Sequence, residues 1–390
     1  MRYEFGAYAI DTERVELRHG SKLLNVEPQV FDVLVYLIRN HDRVVSGGEL
    51  FDALWVGRVV SMSTLTSRIT AARKAIGDNG IGQNLIKTIH RRGYRFIGEV
   101  KEAPEASAPA NDLLQEIQFC ISGNGVHIAY ARVGSGPPLV KAGNWLSHLE
   151  YDWESPVWSP MLKWIASEHE LIRYDTRGNG LSDRDVEEIS FDALVRDLES
   201  VADAAGLDRF VLFGISQGAA VSIAYAEKHP ERVSKLVIYG GFARGTCERG
   251  TAPDAAEAEA SVTLMRTGWG QENPAFRQVF TSLFMPSGTP EQMQWFIELQ
   301  RNTTTAENAI RTRLVSDNLN VTELLPRISM PTLVMHCRED AVQPFEEGRL
   351  LAAGIPGAKF MGLKGNNHLI LESDPGWHQF QEEFTAFLAE

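Results

Sequence analysis

The sequence GISQG at residues 214–218 constrains the fold of this chain more than any other feature. An apolar run over 210–213 precedes it and predicts a short buried strand, and the run over 219–226 that follows predicts a helix with small residues at its start. Strand, G-x-S-x-G and helix together are typical of a nucleophile elbow, the sharp turn that raises a serine above a sheet. Glycines suit this turn because strand and helix can approach closely where no Cβ stands between them. We therefore predict that Ser216 is a nucleophile beside a helix N-terminus.

Length and composition fit a protein of two globular domains. The chain has 390 residues, 44% of them hydrophobic, and no stretch of the sequence is long and apolar enough to span a membrane. No apolar signal segment opens the sequence, so we expect a cytoplasmic protein that does not engage a membrane. The three cysteines, Cys120, Cys247 and Cys337, lack the spacing of metal ligands. We therefore expect reduced thiols, no metal site and no cofactor.

Charge is divided unevenly along the chain. The net charge of −13 combines a net of +3 over residues 1–100, from 14 Lys/Arg and 11 Asp/Glu, with −16 over the remainder. Between residues 58 and 95 there are eight basic residues and a single acid, Asp78. This composition is typical of a face that binds a polyanion, although an ordinary solvated surface has the same composition.

The first hundred residues predict short strands followed by three amphipathic helices. Alternation over 3–26 indicates antiparallel strands, and Glu27-Pro28 is typical of a helix start. A second helix follows the SGGE sequence at 46–49, which resembles a capping box.

The third helix starts near Ser63 and is the candidate for DNA recognition. Its apolar side chains recur at helical spacing and predict one buried stripe, formed by Leu65, Ile69, Ala72 and Ile76. The other faces carry small polar and basic side chains, which suit the base edges and phosphates of a major groove. The candidate DNA contacts on this helix are Thr66, Ser67, Arg68 and Lys74.

A basic hairpin completes this first region. Apolar runs over 85–89 and 94–97 flank His90, Arg91 and Arg92, which we predict to form a tip that enters a minor groove. Residues 3–100 resemble the winged-helix DNA-binding domain of the OmpR/PhoB-type response-regulator family. The resemblance rests on the helix start at 27–28, LFDALW at 50–55, RKAIG at 73–77 and TIHRRGYRF at 88–96. It implies an α+β winged helix-turn-helix domain over 1–100 whose third helix and wing contact duplex DNA. No receiver domain accompanies it, and a winged helix used only for protein contacts is the alternative.

A linker separates this domain from a larger one. The sequence KEAPEASAPAND at 101–112 is rich in Pro, Ala and acid and predicts a semi-flexible linker, which we assign to 101–115. Over 116–390 predicted strands and helices alternate, which indicates a mostly parallel sheet with helices on both faces. This region resembles the α/β-hydrolase superfamily, whose D-x-R-G-x-G-x-S turn is matched by DTRGNGLS at 175–182. The resemblance implies the α/β-hydrolase fold, with a helical cap at about 245–326.

The same resemblance implies a catalytic triad in the chain order Ser216, Asp340, His368. Asp340 follows a predicted strand, and His368 ends the GNNH sequence at 365–368. A neutral histidine can take the proton of the serine, and the aspartate would orient the histidine. Asp317 and Glu372 are rival acids, but neither follows a predicted strand at the expected place.

An oxyanion hole needs two N–H donors, and Gln217 is the expected source of one. The other comes from the loop KAGNW at 141–145, which keeps the glycine of the family's usual His-Gly pair but not its histidine. Asn144 is the expected second donor, with Trp145 as the alternative. Aromatic side chains of this loop and of the cap are expected to enclose an apolar pocket over the serine. The candidate pocket residues are Trp145, Trp153, Trp269, Phe280, Phe284 and Trp295.

Three hypotheses for function follow from these features. The leading one is a homodimeric transcriptional regulator whose hydrolase-like domain senses, or senses and hydrolyses, a small apolar ester, lactone or amide. The second is a working serine hydrolase with an accessory DNA-binding domain. The third is a hydrolase fold that serves only for ligand binding and dimerisation. An intact triad favours chemistry, whereas the altered oxyanion loop and the fusion to a DNA-binding domain favour sensing.

Overall fold

The computed structural model describes residues 2–12, 16–20, 22–24, 26–54, 62–90, 92–103, 113–269, 271 and 273–390. The chain divides into two compact units, Met1–Ala110 and Asn111–Glu390. None of the helices in these ranges is long and apolar enough to cross a membrane.

The first unit is an α+β domain in which an antiparallel sheet packs with three helices and a hairpin. Its elements, in chain order, are β1 (Arg2–Phe5), β2 (Tyr8–Asp11), β3 (Glu16–His19), β4 (Lys22–Leu24), α1 (Pro28–Arg39), α2 (Gly47–Leu54), α3 (Met62–Ala75), β5 (Ile86–Ile89), β6 (Gly93–Phe96) and β7 (Lys101–Ala103). The sheet order is β4-β3-β2-β1-β7, and β5 and β6 form the separate hairpin. The structure thus confirms the predicted winged-helix architecture. The first unit extends beyond residue 100, because the backbone of β7 pairs with β1; most of the predicted linker, 104–112, lies outside the described residues.

The buried stripe of α3 matches the sequence prediction. Leu65, Ile69, Ala72 and Ile76 are each at most 1% exposed and join the core of the first unit. Arg73, between Ala72 and Ile76, is also buried, and its guanidinium donates to the Ile86 carbonyl at 2.7 and 3.0 Å. One of the eight basic residues of the segment 58–95 therefore ties α3 to the hairpin instead of facing solvent.

The second unit is built on an eight-stranded sheet. Its elements before the cap are β8 (Glu116–Ile121), β9 (His127–Val133), β10 (Pro138–Lys141), α4 (Leu149–Trp153), α5 (Ser159–Glu168), β11 (Glu170–Tyr174), α6 (Phe191–Ala204), β12 (Phe210–Ile215), α7 (Gln217–Lys228) and β13 (Val233–Tyr239). The cap helices and the elements that follow them are α8 (Ala252–Gly268), α9 (Ala275–Phe284), α10 (Pro290–Thr303), α11 (Ala306–Asp317), β14 (Thr332–Cys337), α12 (Phe345–Gly354), β15 (Lys359–Leu363) and α13 (Trp377–Ala389).

The strand order of this sheet is β15-β14-β13-β12-β10-β11-β9-β8. Strands β10 to β15 pair in parallel, whereas β8 and β9 pair antiparallel at one edge. Side chains of α6, α7 and α12 share one apolar cluster with one face of the sheet, and those of α5 and α13 share another with the opposite face. The predicted mostly parallel sheet with helices on both faces is confirmed. Because the carboxyl ends of parallel strands meet at one edge, the loops after β10, β12, β13 and β14 lie together there.

The segment between β13 and β14 carries four helices, α8 to α11, which we call the cap; its predicted bounds of about 245–326 stay a prediction. Several of its aromatic side chains are buried in the same cluster as Trp145 of the loop after β10, among them Trp269, Phe280, Phe284 and Phe296. The cap is therefore packed onto the carboxyl edge of the sheet.

Candidate active site

Ser216 stands between β12 and α7 in a strained backbone conformation. Its φ is 54° and its ψ is −124°, and its N–H donates to the Tyr239 carbonyl at 3.0 Å. Positive φ is unfavourable for a residue with a Cβ and costs about 1–3 kcal/mol, so the surrounding structure must enforce it. The geometry is that of the elbow that the GISQG sequence predicts.

The two glycines of the motif are required by close approaches. A Cβ on Gly214 would lie 2.7 Å from the Cα of Ala219 and from the Gly218 carbonyl oxygen. A Cβ on Gly218 would lie 2.9 Å from the Gly143 carbonyl oxygen. The first glycine thus lets β12 meet α7, and the second lets the loop after β10 meet the start of α7.

His368 and Asp340 form a buried pair. His368 Nδ1 lies 2.7 Å from Asp340 Oδ2, and the two side chains are 0% and 1% exposed. Asp340 Oδ1 also accepts from the N–H groups of Val342 and Gln343, at 2.8 and 3.0 Å. Burial opposes ionisation of this carboxyl, but the facing imidazole of His368 and these hydrogen bonds hold the pKa of Asp340 below its usual range. His368 therefore meets Asp340 and not the rival acids.

A second histidine, which sequence reasoning missed, faces the same carboxylate. His336 Nε2 lies 3.6 Å from Asp340 Oδ2 and 3.0 Å from the Gln343 carbonyl oxygen. Burial lowers the pKa of His336 and so favours its neutral form. The only sequence signal was its position at the end of β14, four residues before Asp340.

The histidine lies beside the strand end next to Ser216. Ile215 pairs with Tyr239 across β12 and β13, and a Cβ on the following residue, Gly240, would lie 3.3 Å from His368 Cε1. His368 Nε2 is buried and has no hydrogen-bond partner among the described residues. The structure thus contains the Asp340–His368 contact but no Ser216–His368 hydrogen bond, and the full triad stays a prediction.

The oxyanion donors also stay a prediction, but the structure defines their surroundings. Gln217 is the first residue of α7, and the first N–H groups of a helix have no partner within it. The side chain of Asn144 is occupied, because its Oδ1 accepts from Lys141 Nζ at 2.6 Å and its Nδ2 donates to the Leu146 carbonyl at 3.0 Å. Only the main chain of Asn144 is therefore left to serve a substrate.

Four of the six predicted pocket residues come together. The Trp145 ring packs on Trp269, Phe280 and Phe284, with ring centres 5.8, 6.1 and 5.6 Å apart. The Phe284 ring in turn meets the His368 ring edge-on at 5.3 Å. Trp153 belongs to the same apolar cluster and Trp295 packs against it, but their ring contacts are with other residues. Trp295 stacks on Tyr151 at 4.9 Å, and Trp153 has the guanidinium of Arg173 over its ring at 5.5 Å.

Hydrogen bonds also join the cap to the histidine loop. The Phe284 carbonyl accepts from the His368 N–H at 2.8 Å. The Ser287 N–H donates to Asn367 Oδ1 at 3.0 Å, and Ser287 Oγ donates to Asn366 Oδ1 at 2.8 Å. The end of α9 and the loop at 366–368 are therefore joined by main-chain and side-chain contacts.

The candidate nucleic-acid contacts lie in the first unit. Thr66, Ser67 and Lys74 are exposed on α3, and His90 and Arg92 are exposed at the hairpin, whereas Arg91 lies outside the described residues. Arg68 is only half-buried and forms an ion pair with Glu27, at the start of α1. That contact engages the guanidinium, and DNA contact by these residues stays a prediction.

Comparisons with known proteins found a family match within each of the two units. A family model described as "alpha/beta hydrolase fold" matches residues 148–375, and one described as "Transcriptional regulatory protein, C terminal" matches residues 20–96. The chain is similar to a putative carbamate hydrolase, RutD, from Azorhizobium caulinodans, with 29% identity over 60% of this chain and 86% of the relative. It is also similar to pyrrolizixenacetamide deacetylase from Xenorhabdus hominickii, with 24% identity over 70% of this chain and 93% of the relative. Among solved structures, the bromoperoxidase from Bacillus anthracis has a TM-score of 0.60 at 22% identity, covering 70% of this chain and all of that one, which shows a shared fold.

Proposed function

Because the chain belongs to the α/β-hydrolase family through residues 148–375 and carries a transcriptional-regulator domain, we propose that it is a DNA-binding regulator whose second unit binds and hydrolyses a small apolar ester, lactone or amide. The observation that carries the proposal is Ser216, held at a φ of 54° beside a helix N-terminus. Such strain persists where the surrounding fold enforces it, and it clusters at reactive groups.

The chemistry follows from the groups around this serine. Ser216 Oγ would attack the substrate carbonyl while His368 Nε2, which has no other partner among the described residues, takes the hydroxyl proton. Asp340 would hold Nδ1–H and stabilise the imidazolium. The imidazolium then returns the proton to the leaving oxygen or nitrogen as the acyl–serine ester forms. A water molecule, deprotonated by the same histidine, would cleave that ester; the histidine would return the proton to Ser216 Oγ as the acid is released.

The rings around the site support an apolar ligand. Trp145, Trp269, Phe280 and Phe284 are each at most 7% exposed, so a ligand among them is surrounded by aromatic surface. Two relatives are named for carbamate hydrolysis and deacetylation, reactions that cleave an acyl group from nitrogen or oxygen. An ester, lactone or amide with a short apolar acyl group fits both observations.

Labelling with a fluorophosphonate probe tests the catalytic part of the proposal. The wild type is expected to react, and Ser216→Ala to abolish labelling, because the probe bonds to an activated serine. Ser222→Ala is a matched control, because Ser222 is a second buried serine, in α7, whose Oγ donates to the Gly218 carbonyl at 2.7 Å. A folded wild type that does not react would leave the third hypothesis, a ligand-binding module without chemistry.

The same adduct tests the regulatory part. Affinity for duplex DNA from a random-sequence pool is measured for unlabelled and fluorophosphonate-labelled protein, with the adduct as a stand-in for the acyl–serine. A regulator is expected to change its affinity by roughly 5–150-fold, which corresponds to a coupling free energy of about 1–3 kcal/mol. We expect the response through a changed dimer, since a linker of the composition found at 101–112 is expected to transmit little torque. Equal affinities together with an unchanged oligomeric state would support the second hypothesis, an enzyme with an accessory DNA-binding domain.

A further inference from the structure

The strand before the altered oxyanion loop ends in a buried lysine. Lys141 is the last residue of β10 and is 7% exposed. Its Nζ donates to Asn144 Oδ1 at 2.6 Å and lies 5.0 Å from the centre of the Trp158 ring. Asn144 in turn donates to the Leu146 carbonyl. One ammonium group therefore holds the loop through the side chain of Asn144.

The loop fixed in this way touches the helix that follows the nucleophile. The Gly143 carbonyl oxygen would be 2.9 Å from a Cβ on Gly218, in the first turn of α7. The two proposed oxyanion donors, the N–H groups of Gln217 and Asn144, thus belong to two elements in direct contact. Their separation depends on where the loop rests, and Lys141 is bonded to one of the two donor residues.

Lys141 shares its surroundings with three other buried charged side chains. They are Asp152 of α4, Arg173 of β11 and Asp175 immediately after β11. Burial lowers the pKa of Lys141 to about 8, opposed by the attraction of the two aspartates and assisted by Arg173. Burial also raises the pKa of Asp152 to about 7. The charge on the amine therefore changes within the pH range in which ester hydrolysis is measured.

We propose that the Lys141 ammonium is a positioning residue that holds Asn144 so that its main-chain N–H forms the oxyanion hole with that of Gln217. This inference rests on the serine-hydrolase function proposed above. It gives Lys141 the task of positioning the loop at 141–145, in which the family's usual histidine is missing. A charged donor makes a stronger hydrogen bond to the amide oxygen than a neutral amine does, so loss of the proton loosens the loop. A looser loop presents its donor less well to the oxyanion, which lowers kcat more than it weakens substrate binding.

Lys141→Met is the primary test, with p-nitrophenyl butyrate as substrate. We expect kcat to fall about 10-fold and KM to stay within about two-fold, because removing an oxyanion donor outright costs about 100- to 1,000-fold and here the donor is only displaced. The wild type should lose kcat as the pH rises through about 8, and Lys141→Met should lack this decline. Lys163→Met is the matched control, since that exposed lysine also lies over a tryptophan ring, Trp153, at 5.5 Å; it should keep the wild-type kcat and decline.

Two further variants keep the proposal falsifiable if Lys141→Met fails to fold. Lys141→Arg keeps its charge throughout the assay range, so the decline near pH 8 should vanish while activity is retained. Asp152→Asn removes a negative charge that favours the ammonium, so the decline should move to lower pH.

The outcomes separate this proposal from the one on which it rests. An active wild type whose Lys141→Met variant keeps both kcat and the alkaline decline overturns the role of Lys141 alone. An unmoved decline in Asp152→Asn does the same. A wild type that reacts neither with the fluorophosphonate nor with the ester overturns the serine-hydrolase function, and the role of Lys141 with it.

Discussion

Truncating Phe284 tests separately how the cap packs and how it holds His368, the proposed catalytic histidine. Phe284 ends α9 and is 7% exposed, with its ring against Trp145, Phe296 and His368. Phe280 lies one turn earlier and is 3% exposed, but its ring packs on Trp145 and Trp269. The two phenylalanines have similar burial and share one neighbour, so Phe280→Ala is the matched control for Phe284→Ala.

The expected effect on stability is similar for both variants. Truncation of a buried phenylalanine costs about 3–5 kcal/mol. Aromatic contacts of about 0.5–1.5 kcal/mol each account for part of this cost. At the scale expected for a unit of this size, each variant should lower Tm by roughly 10 °C.

The expected effect on catalysis differs between them. Of the two phenylalanines, Phe284 is the one whose ring contacts His368: the ring centres are 5.3 Å apart and the ring planes meet at 81°. Displacement of a catalytic group by about 1 Å can cost on the order of 100-fold in rate. We therefore expect kcat of Phe284→Ala to fall at least about 10-fold below that of Phe280→Ala. Equal kcat values at equal loss of Tm would refute the idea that the cap holds the histidine.

Two further predictions concern the fold and the DNA interface. The fully buried guanidinium of Arg177 donates to Asp197 at 2.6 and 2.8 Å. Asp197→Ala leaves this charge without its carboxylate, so it should lower the free energy of unfolding, measured by urea titration, by about 3–5 kcal/mol. Glu346→Ala, which breaks an exposed ion pair with Arg349, should cost no more than about 1 kcal/mol, and equal losses would contradict the argument. The double variant Lys74→Ala/Arg92→Ala should weaken binding to all duplex sequences and reduce the slope of log affinity against log salt by about 2, as expected for two lost phosphate contacts. Lys228→Ala, an exposed lysine of the second unit, should leave that slope unchanged.

Local pattern was sufficient for much of the fold. The buried stripe of α3 could be predicted because four apolar residues recur at helical spacing. The elbow could be predicted because a serine between two glycines separates a strand from a helix. The pairing of Asp340 with His368 was suggested by the place of Asp340 just after β14, and the structure contains that contact. In each case the signal lies within a few residues of the feature that it predicts.

The features that escaped prediction depend on contacts between distant segments. Composition alone places Arg73 among the surface charges of the segment 58–95, yet its guanidinium donates to a carbonyl 13 residues away in β5. Lys141 and Arg173 end or nearly end buried strands, where charged side chains are unexpected, and they are accommodated by aspartates and aromatic rings from other elements. The helix α4 is only five residues long, too short for a helical period to show. The bond from His368 to the Phe284 carbonyl joins residues 84 positions apart and has no sequence signature.

These distant contacts bear on how one site would serve both hydrolysis and regulation. A ligand that enters among the cap rings must displace part of the Trp145–Phe284 stack, and the carbonyl of Phe284 is bonded to the main chain of His368. Ser287, three residues later, is bonded to Asn366 and Asn367. Ligand entry therefore perturbs the end of α9 and the histidine loop together, and it is this difference between the free and occupied states that a regulator needs. Under the proposed function, turnover and signalling would compete for the same complex: the longer the acyl–serine survived, the longer the cap would stay displaced. Variants that slow deacylation without preventing acylation are accordingly the ones in which a regulatory response to substrate should last longest.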